Sequence, residues 1–496
     1  MGAVHPVLLA PTHDFPYHEL EGWARLIEQR LEAGDRVVTL FGRLGTNGDV
    51  VTTAVLERSG GTLDVLRGHA TSEAAFPSLT PRFPAMQMFE RELWEQTGLV
   101  PDGHPWLKPV RYEGARQGRM GEHSFFPVRG QEIHEVGVGP IHAGVIEPGH
   151  FRFMCHGEQV HHLELQLGYQ HRGVEAHLLA RPARALAPLI ESVAGDSSVA
   201  YAWGYCTAIE ALSGTTVDTA SNIVAGVALE LERVAMHLAT LSGLMADLAF
   251  LQGSATYGRL RTSVINATMR ICGSRFGRGW LRPGGPRCGV TDDVQRDLTT
   301  MLTTLGRDMA EVNDLVVSAR SVRARLRSIG IVSRQVAVDL GLVGLSARAS
   351  GIAIDTRVSQ PGTLYAAHPV SAMTEQDGDC WARMLVRMRE VDESVRWISR
   401  VLDEPNLGLS DSVRRAPGTG GALRSDAVCV SVREGVRGPV VQVLETGGDG
   451  SLVQYKVQDP SLLNWFGLAM AVRNNDISDF PICNKSFDLS YCGNDL

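Results

Sequence analysis

No stretch of this chain holds the roughly eighteen consecutive apolar residues that a membrane-spanning helix needs. Even its most apolar run, residues 223–250, is interrupted by Glu230, Glu232, Arg233 and His237. The first residues, MGAVHPVLLAPTHDF, lack the basic start and long apolar middle of a secretory leader. The chain is therefore expected in the cytoplasm, without a span of its own. A basic surplus is missing too: 47 Lys and Arg face 55 Asp and Glu, for a net charge of −8, which argues against non-specific nucleic-acid binding. The eight cysteines include no CxxC pair, so no autonomous zinc or iron–sulfur motif is present and reduced, mostly buried thiols are expected. The glycine-rich segment RFGRGWLRPGG, residues 275–285, follows no strand pattern and lacks a P-loop lysine, which excludes a phosphate cradle of that type.

With 496 residues, 44% hydrophobic and 21% charged, the chain exceeds one hydrophobic core and reads as two or three folded domains. Its first part alternates helix and strand patterns: a helix within 14–33, strands near 36–41, 50–56 and 62–67, and a helix over 85–96. In that last helix Met86, Phe89 and Leu93 face inward, and Glu90, Arg91, Glu92 and Glu95 read as a solvated face. Residues 110–130, rich in Arg and Gly, read as a linker. Between 139 and 175 a Pro- and Gly-punctuated loop carrying His142, Glu147 and His150 leads into a ribbon, strands 151–154 and 160–167 joined through His156-Gly157-Glu158. Histidines and glutamates gathered on a loop above a rigid ribbon mark a candidate site.

Long amphipathic helices follow at 182–209, 221–250, 293–326 and 378–402. Glu230, Arg233 and His237 share one helix face and read as an interhelical salt-bridge network; Arg383 and Arg387 read as surface or interface charges. A small-residue segment over 341–357, a hairpin of 427–433 with 440–446 extended by 454–457, and a helix at 464–474 complete the pattern. The expected class is α+β: a small N-terminal α+β domain, then a domain with a β-ribbon layer on a long-helix bundle.

The combination EPGHFRF, LGYQHRGVE, ELERVAMHL, RPGG, RASG and the terminal SFDLSYCGNDL closely resembles the large subunit of group 4, formate hydrogenlyase-type nickel–iron hydrogenases and the related D-type component of respiratory complex I. Ahead of it, the FERE helix and GHP loop within 76–109 resemble the C-type component of complex I. The resemblance implies a C-type docking domain over 1–120, a linker over 121–135 and a large-subunit domain over 136–496. In those hydrogenases two CxxC motifs hold the metals, because soft thiolates bind nickel and bridge it to iron. The matching positions here are Ala194, Ser197, Ser490 and Gly493, so the resemblance is to a branch without the ligand cysteines, and a nickel–iron centre is not expected.

By the same resemblance Glu147 matches a proton-relay glutamate, with a loop cap as the alternative. Arg437 in EGVRGP matches an arginine that projects over the site. Asp196 is an additional carboxylate able to carry protons. His142 and His150 fall where complex I offers a histidine to a quinone headgroup, the alternative being structural histidines; the family's tyrosine partner is unmatched, although Tyr201 and Tyr205 lie nearby. The implied partners are a small iron–sulfur subunit, a ferredoxin-like subunit and membrane antiporter-like subunits, which would hold the clusters and place the chain peripherally on the inner face of the membrane. The expected function is that of a large subunit coupling electron transfer from an adjacent cluster to proton or quinone chemistry. An active hydrogenase, or a non-catalytic scaffold, are the alternatives.

Overall fold

A computed structural model describes residues 7–45, 47–113, 118–142, 146–405, 407–410 and 422–496. Its N-terminal sheet has the strand order Tyr17–Glu19, Leu63–Thr71, Asp49–Glu57, Arg36–Leu44, the first pair parallel and the others antiparallel. Because successive side chains of a strand point to opposite faces, neighbours on these strands enter different cores. Leu40, Val50, Ala54 and Leu56 pack with Trp23 and Ile27 of helix Leu20–Glu32 and with Phe89 and Leu93 of helix Gln87–Thr97. Val38, Phe41, Val55 and Val65 meet Val428, Val430, Val432, Val441 and Val443 of a second sheet more than 350 residues later.

That second sheet runs Val7–Pro11, Ala427–Glu434, Pro439–Thr446, Leu452–Gln458, antiparallel throughout. Its first strand comes from the N-terminus. The hairpin Ala427–Glu434 and Pro439–Thr446 is buried along its whole length, since helix Ser198–Ser213 covers the face opposite the N-terminal sheet. Strands buried on both faces read as continuous apolar runs, and VCVSV and VVQVL do so.

The helical body consists chiefly of Ser198–Ser213, Thr219–Asp247, Leu251–Cys272, Asp292–Ser318 and Cys380–Leu402. The expected ribbon is present as His150–His156 paired with Gln159–Gln166, and a third strand, Ile133–Val138, flanks it, beginning in the last residues of the 121–135 segment read as a linker. The pattern over 182–209 is not one helix: a short helix Ala187–Ile190 is followed by a turn and then by Ser198–Ser213. The pattern over 293–326 likewise divides at Ala319, which is extended between Asp292–Ser318 and Arg320–Leu326.

Two expectations about charge are overturned. Glu90, Glu92 and Glu95 are buried rather than solvated. Glu90 accepts from Ser78 Oγ, Leu79 N and Thr80 Oγ1 at 2.6–2.7 Å, Glu92 pairs with Arg111 and with Lys456 Nζ at 2.6 Å, and Glu95 accepts Val110 N and Arg111 N at 2.8 and 3.0 Å. The polar face of an amphipathic helix is thus covered by the following segment and the C-terminal sheet, neither of which helical periodicity can reveal. Arg383 and Arg387 are also buried. Arg387 donates to the carbonyls of Ser486 and Phe487 at 3.0 and 2.9 Å, closing the end of helix Phe480–Phe487. Arg383 holds Ser486 Oγ, Gly378 O and Gly330 O at 2.8–2.9 Å.

Candidate functional site

The interruption between Ala187–Ile190 and Ser198–Ser213 forms one wall of a pocket. A helix start leaves N–H groups without partners, and here a neighbouring helix supplies the acceptor: Glu232 takes Val199 N at 2.6 Å and Ala200 N at 3.1 Å. The turn so held presents Asp196. Across from it, the hairpin loop at 435–438 presents Arg437, its carbonyls tied down by Arg233, which donates to Glu434 O at 2.6 Å and Gly435 O at 3.1 Å.

Arg437 and Asp196 form a two-point ion pair, Nη1–Oδ1 3.0 Å and Nη2–Oδ2 2.6 Å. Burial acts to raise the Asp196 carboxyl, but the guanidinium prevails and holds it below the usual carboxylate range. Arg437 also donates to the Asp488 carbonyl, and Asp488 accepts from Thr240 Oγ1 at 2.6 Å. The C-terminal segment closes the pocket: Ser490 caps the short helix Tyr491–Asp495 by accepting Gly493 N at 2.9 Å. Glu147 reaches in from the ribbon loop and accepts Tyr491 N at 3.3 Å. Burial, and then the Glu147 carboxylate that faces it, push the Cys492 thiol up to about 12, so Cys492 is a protonated thiol with Ser490 Oγ at 3.4 Å.

The structure thus links Asp196 to Arg437, Arg437 to the Asp488 carbonyl, and Glu147 and Ser490 to the C-terminal residues Tyr491 to Gly493. His142 and His150 occupy the adjoining loop, and each binds a backbone carbonyl: His142 Nε2 at 2.9 Å from Gly149 O, His150 Nδ1 at 3.1 Å from Gly139 O. Tyr205 points elsewhere, donating to Ala183 O at 2.8 Å.

Sequence patterns alone gave no site role to two groups. The Tyr201 hydroxyl donates to Asp459 Oδ2 beneath the pocket, burial and then the Asp459 charge raising the tyrosine well above its usual range. Glu232 is pushed up to about 8, by burial first, with the Asp196 charge adding to it against the two backbone N–H bonds. Two carboxylates in the apolar run ELERV were the only available signal.

The face carrying Glu230, Arg233 and His237 is, as expected, a buried salt-bridge network. Glu230 joins Arg357 at 3.0 Å and Tyr365 Oη at 2.6 Å, while Arg348 joins Glu390 and Glu434, each at 2.8 Å. Arg387 donates to His237 Nδ1 at 3.2 Å, so Nε2 carries the proton given to Glu390 at 2.8 Å; burial lowers this histidine to about 4.

The donor set does not fit a nickel–iron centre. Ala194 and Gly493 offer no ligand atom, Ser197 and Ser490 offer hydroxyls, which are poor substitutes for thiolate, and Cys492 stands one residue away from the matching position. Among the described residues no three His, Cys, Asp or Glu side chains converge as a metal-holding group.

Comparison with known proteins gives two family matches. Residues 247–415 match the 49 Kd subunit of respiratory-chain NADH dehydrogenase and residues 50–118 its 30 Kd subunit. The chain is 27% identical to formate hydrogenlyase subunit 5 of Escherichia coli, over 84% of this chain and 76% of that protein. It is 26% identical to the membrane-bound hydrogenase subunit alpha of Pyrococcus furiosus (71% and 84% covered) and 26% identical to NADH-quinone oxidoreductase subunit 4 of Thermus thermophilus (72% and 92% covered). A chain of the membrane-bound sulfane sulfur reductase, an archaeal respiratory membrane complex, shares the fold with a TM-score of 0.69 at 21% identity, covering 75% of this chain and 100% of that one. No helix among the described residues is long and apolar enough to cross a membrane.

Proposed function

We propose, from the matches of residues 247–415 to the 49 Kd subunit and of residues 50–118 to the 30 Kd subunit of respiratory-chain NADH dehydrogenase and from the likeness to formate hydrogenlyase subunit 5, that this chain is a large subunit of that kind and serves proton chemistry without a nickel–iron centre. In this reading it is the large subunit of a membrane-associated, complex I-like oxidoreductase. The observation that carries the reading is the filling of the vacated ligand positions. A Cβ at Gly493 would lie 2.3 Å from Asp459 Oδ2, and the Asp459 carboxylate is fixed by Tyr201 and by Ser461 N at 2.7 Å. Protein carboxylate therefore takes the space a fourth thiolate would need. Arg437 is balanced by Asp196, a partner on the chain itself, and needs no anionic metal cluster beside it.

Glu147 is the group placed to exchange protons, since it faces the Cys492 thiol and sits on a loop at the pocket edge. Glu232 stores a proton near neutrality at the opposite wall. Arg437 stabilises negative charge arising between them. A quinone is the electron acceptor that suits this arrangement, with His142 and His150 as its loop contacts. Electrons would arrive from a small iron–sulfur subunit and a ferredoxin-like subunit, and antiporter-like subunits would anchor the assembly to the inner face of the membrane.

The test is metal analysis with an infrared scan on the complex purified natively with its partners. Iron without stoichiometric nickel, and no bands of metal-bound carbonyl or cyanide, is expected. Stoichiometric nickel with those bands would overturn the reading. In the same complex Glu147→Gln is expected to lower turnover by about a hundredfold while the clusters still become reduced.

A further inference from the structure

A cavity of about 520 Å³ lies away from the pocket just described, between helix Gln87–Thr97 with the segment after it and the ribbon strand Gln159–Gln166 with helix Ser461–Ala471. Its volume falls within the roughly 300–1,000 Å³ of small-molecule sites. Met88, Trp106, Phe126, Leu165, Leu462 and Phe466 give it an apolar wall. Packing alone would leave such a wall dry and its polar groups paired, but several polar atoms here have no partner among the described residues.

Arg473 donates to His162 Nδ1 at 3.2 Å. A guanidinium only donates, so Nδ1 is the acceptor and the imidazole proton sits on Nε2. Among the described residues that Nε2–H has no acceptor, and neither do the Nε–H of Arg473 and the Nε1–H of Trp465, a residue only 3% exposed. Three buried donors on the cavity lining, beside the Tyr112 hydroxyl and the acceptors Gln166 Oε1 and Asn494 Oδ1, thus have no partner among the described residues. The charge balance points the same way. Lys108 is paired with Glu164 at 2.8 Å, whereas Arg91 donates to the neutral carbonyls of Lys108 and Pro109 at 2.6 and 3.0 Å and Arg473 to a neutral imidazole. Burial, and then the Arg473 charge, lower His162 and keep it uncharged. The lining therefore combines one internal ion pair with two guanidinium groups whose hydrogen bonds go to neutral acceptors, the carboxylates of Glu95 and Glu164 lying near Arg91.

We infer that this cavity is a binding site for a small amphipathic anion, an aliphatic carboxylate whose chain lies along the apolar wall and whose oxygens accept from His162 Nε2, Arg473 Nε and Trp465 Nε1. A neutral apolar molecule would bury those donors unsatisfied, and a compact polar anion would leave the wall uncovered. The site uses none of the residues of the proton pocket, so it stands or falls independently of the reading above.

The experiment is titration of the natively purified complex with dodecanoate and, separately, with methyl dodecanoate, reading tryptophan fluorescence because Trp106 and Trp465 line the cavity. Saturable binding of the acid, at least tenfold tighter than the ester, is expected. Arg473→Met should abolish that preference and leave ester binding unchanged, with its thermal transition checked to confirm folding. Equal binding of acid and ester by the unaltered protein, or no saturable binding of the acid, would overturn the proposal without involving any variant.

Discussion

Glu232 is a carboxylic acid kept protonated by its surroundings, and the consequence is a stability that depends on pH. Its folded value of about 8 lies above the ordinary 4.5, so between those limits the native state binds the proton that the unfolded chain has released. Stability then falls as pH rises through that window, by roughly 3–5 kcal/mol in total. Glu232→Gln removes the slope. Thermal unfolding from about pH 5 to pH 9 is expected to show the variant gaining on the parent as pH rises, and parallel curves would contradict the assignment. His237 acts in the opposite sense: its value near 4 lies below the ordinary 6.5, so the stability it contributes is complete above that value and lost as pH falls toward 4. At this scale motifs singled out the positions of Glu147, Arg437 and Asp196, and the structure pairs the last two; their part in proton chemistry is the proposal made above. It was unreadable where a role depends on a partner distant in the chain: nothing near Tyr201 announces Asp459, and nothing near Arg387 announces the carbonyls of Ser486 and Phe487.

Among the elements, the strand register and the turn at 435–438 decide where Arg437 points. Gly344 packs directly behind that turn at φ +57°, where a Cβ would lie 2.1 Å from Arg437 O and 2.4 Å from Gly438 Cα. Gly344→Ala must therefore displace the hairpin backbone in addition to the roughly 1–2 kcal/mol that an L-residue costs in this conformation. Loss of activity together with a lowered melting temperature is expected. Gly306, inside helix Asp292–Ser318 with nothing within 4 Å of its Cβ position, provides the control, since Gly306→Ala should stabilise by about 0.5–1 kcal/mol and leave activity alone. Equal effects at the two glycines would refute the role given to the turn. Periodicity revealed most of these elements because apolar spacing is a local property. It concealed the breaks at residues 191–197 and at Ala319, where capping by Glu232 and an extended alanine override a helical pattern, and it missed Val7–Pro11, too short to be distinguished without its partner strand.

At the scale of the whole molecule the two parts are bound by three different means. Strand Val7–Pro11 completes the C-terminal sheet, two valine-rich sheet faces share one core, and buried ions cross the junction: Arg67 to Glu445 at 2.7 Å and Lys456 to Glu92 at 2.6 Å. Salt screens exposed charges separated by more than about a Debye length but scarcely reaches pairs buried this deeply, and the valine contacts strengthen as water becomes more cohesive. Cutting the chain between residues 120 and 121 should consequently leave the two pieces associated through gel filtration in molar salt. Residues 121–496 produced alone would expose Val428, Val430, Val441 and Val443 together with the unpaired edge of strand Ala427–Glu434, and aggregation of that piece is expected. Glu92→Gln tests the ionic part: it leaves Arg111 without its ion-pair partner and Lys456 with Glu175 alone, at 3.1 Å, in a buried site, at a cost of up to about 3–5 kcal/mol, and in the cut protein this should appear as dissociation of the pieces. If the pieces of the unsubstituted chain separate in salt, the first part is a surface-docked module, and the shared core cannot be what joins it to the rest.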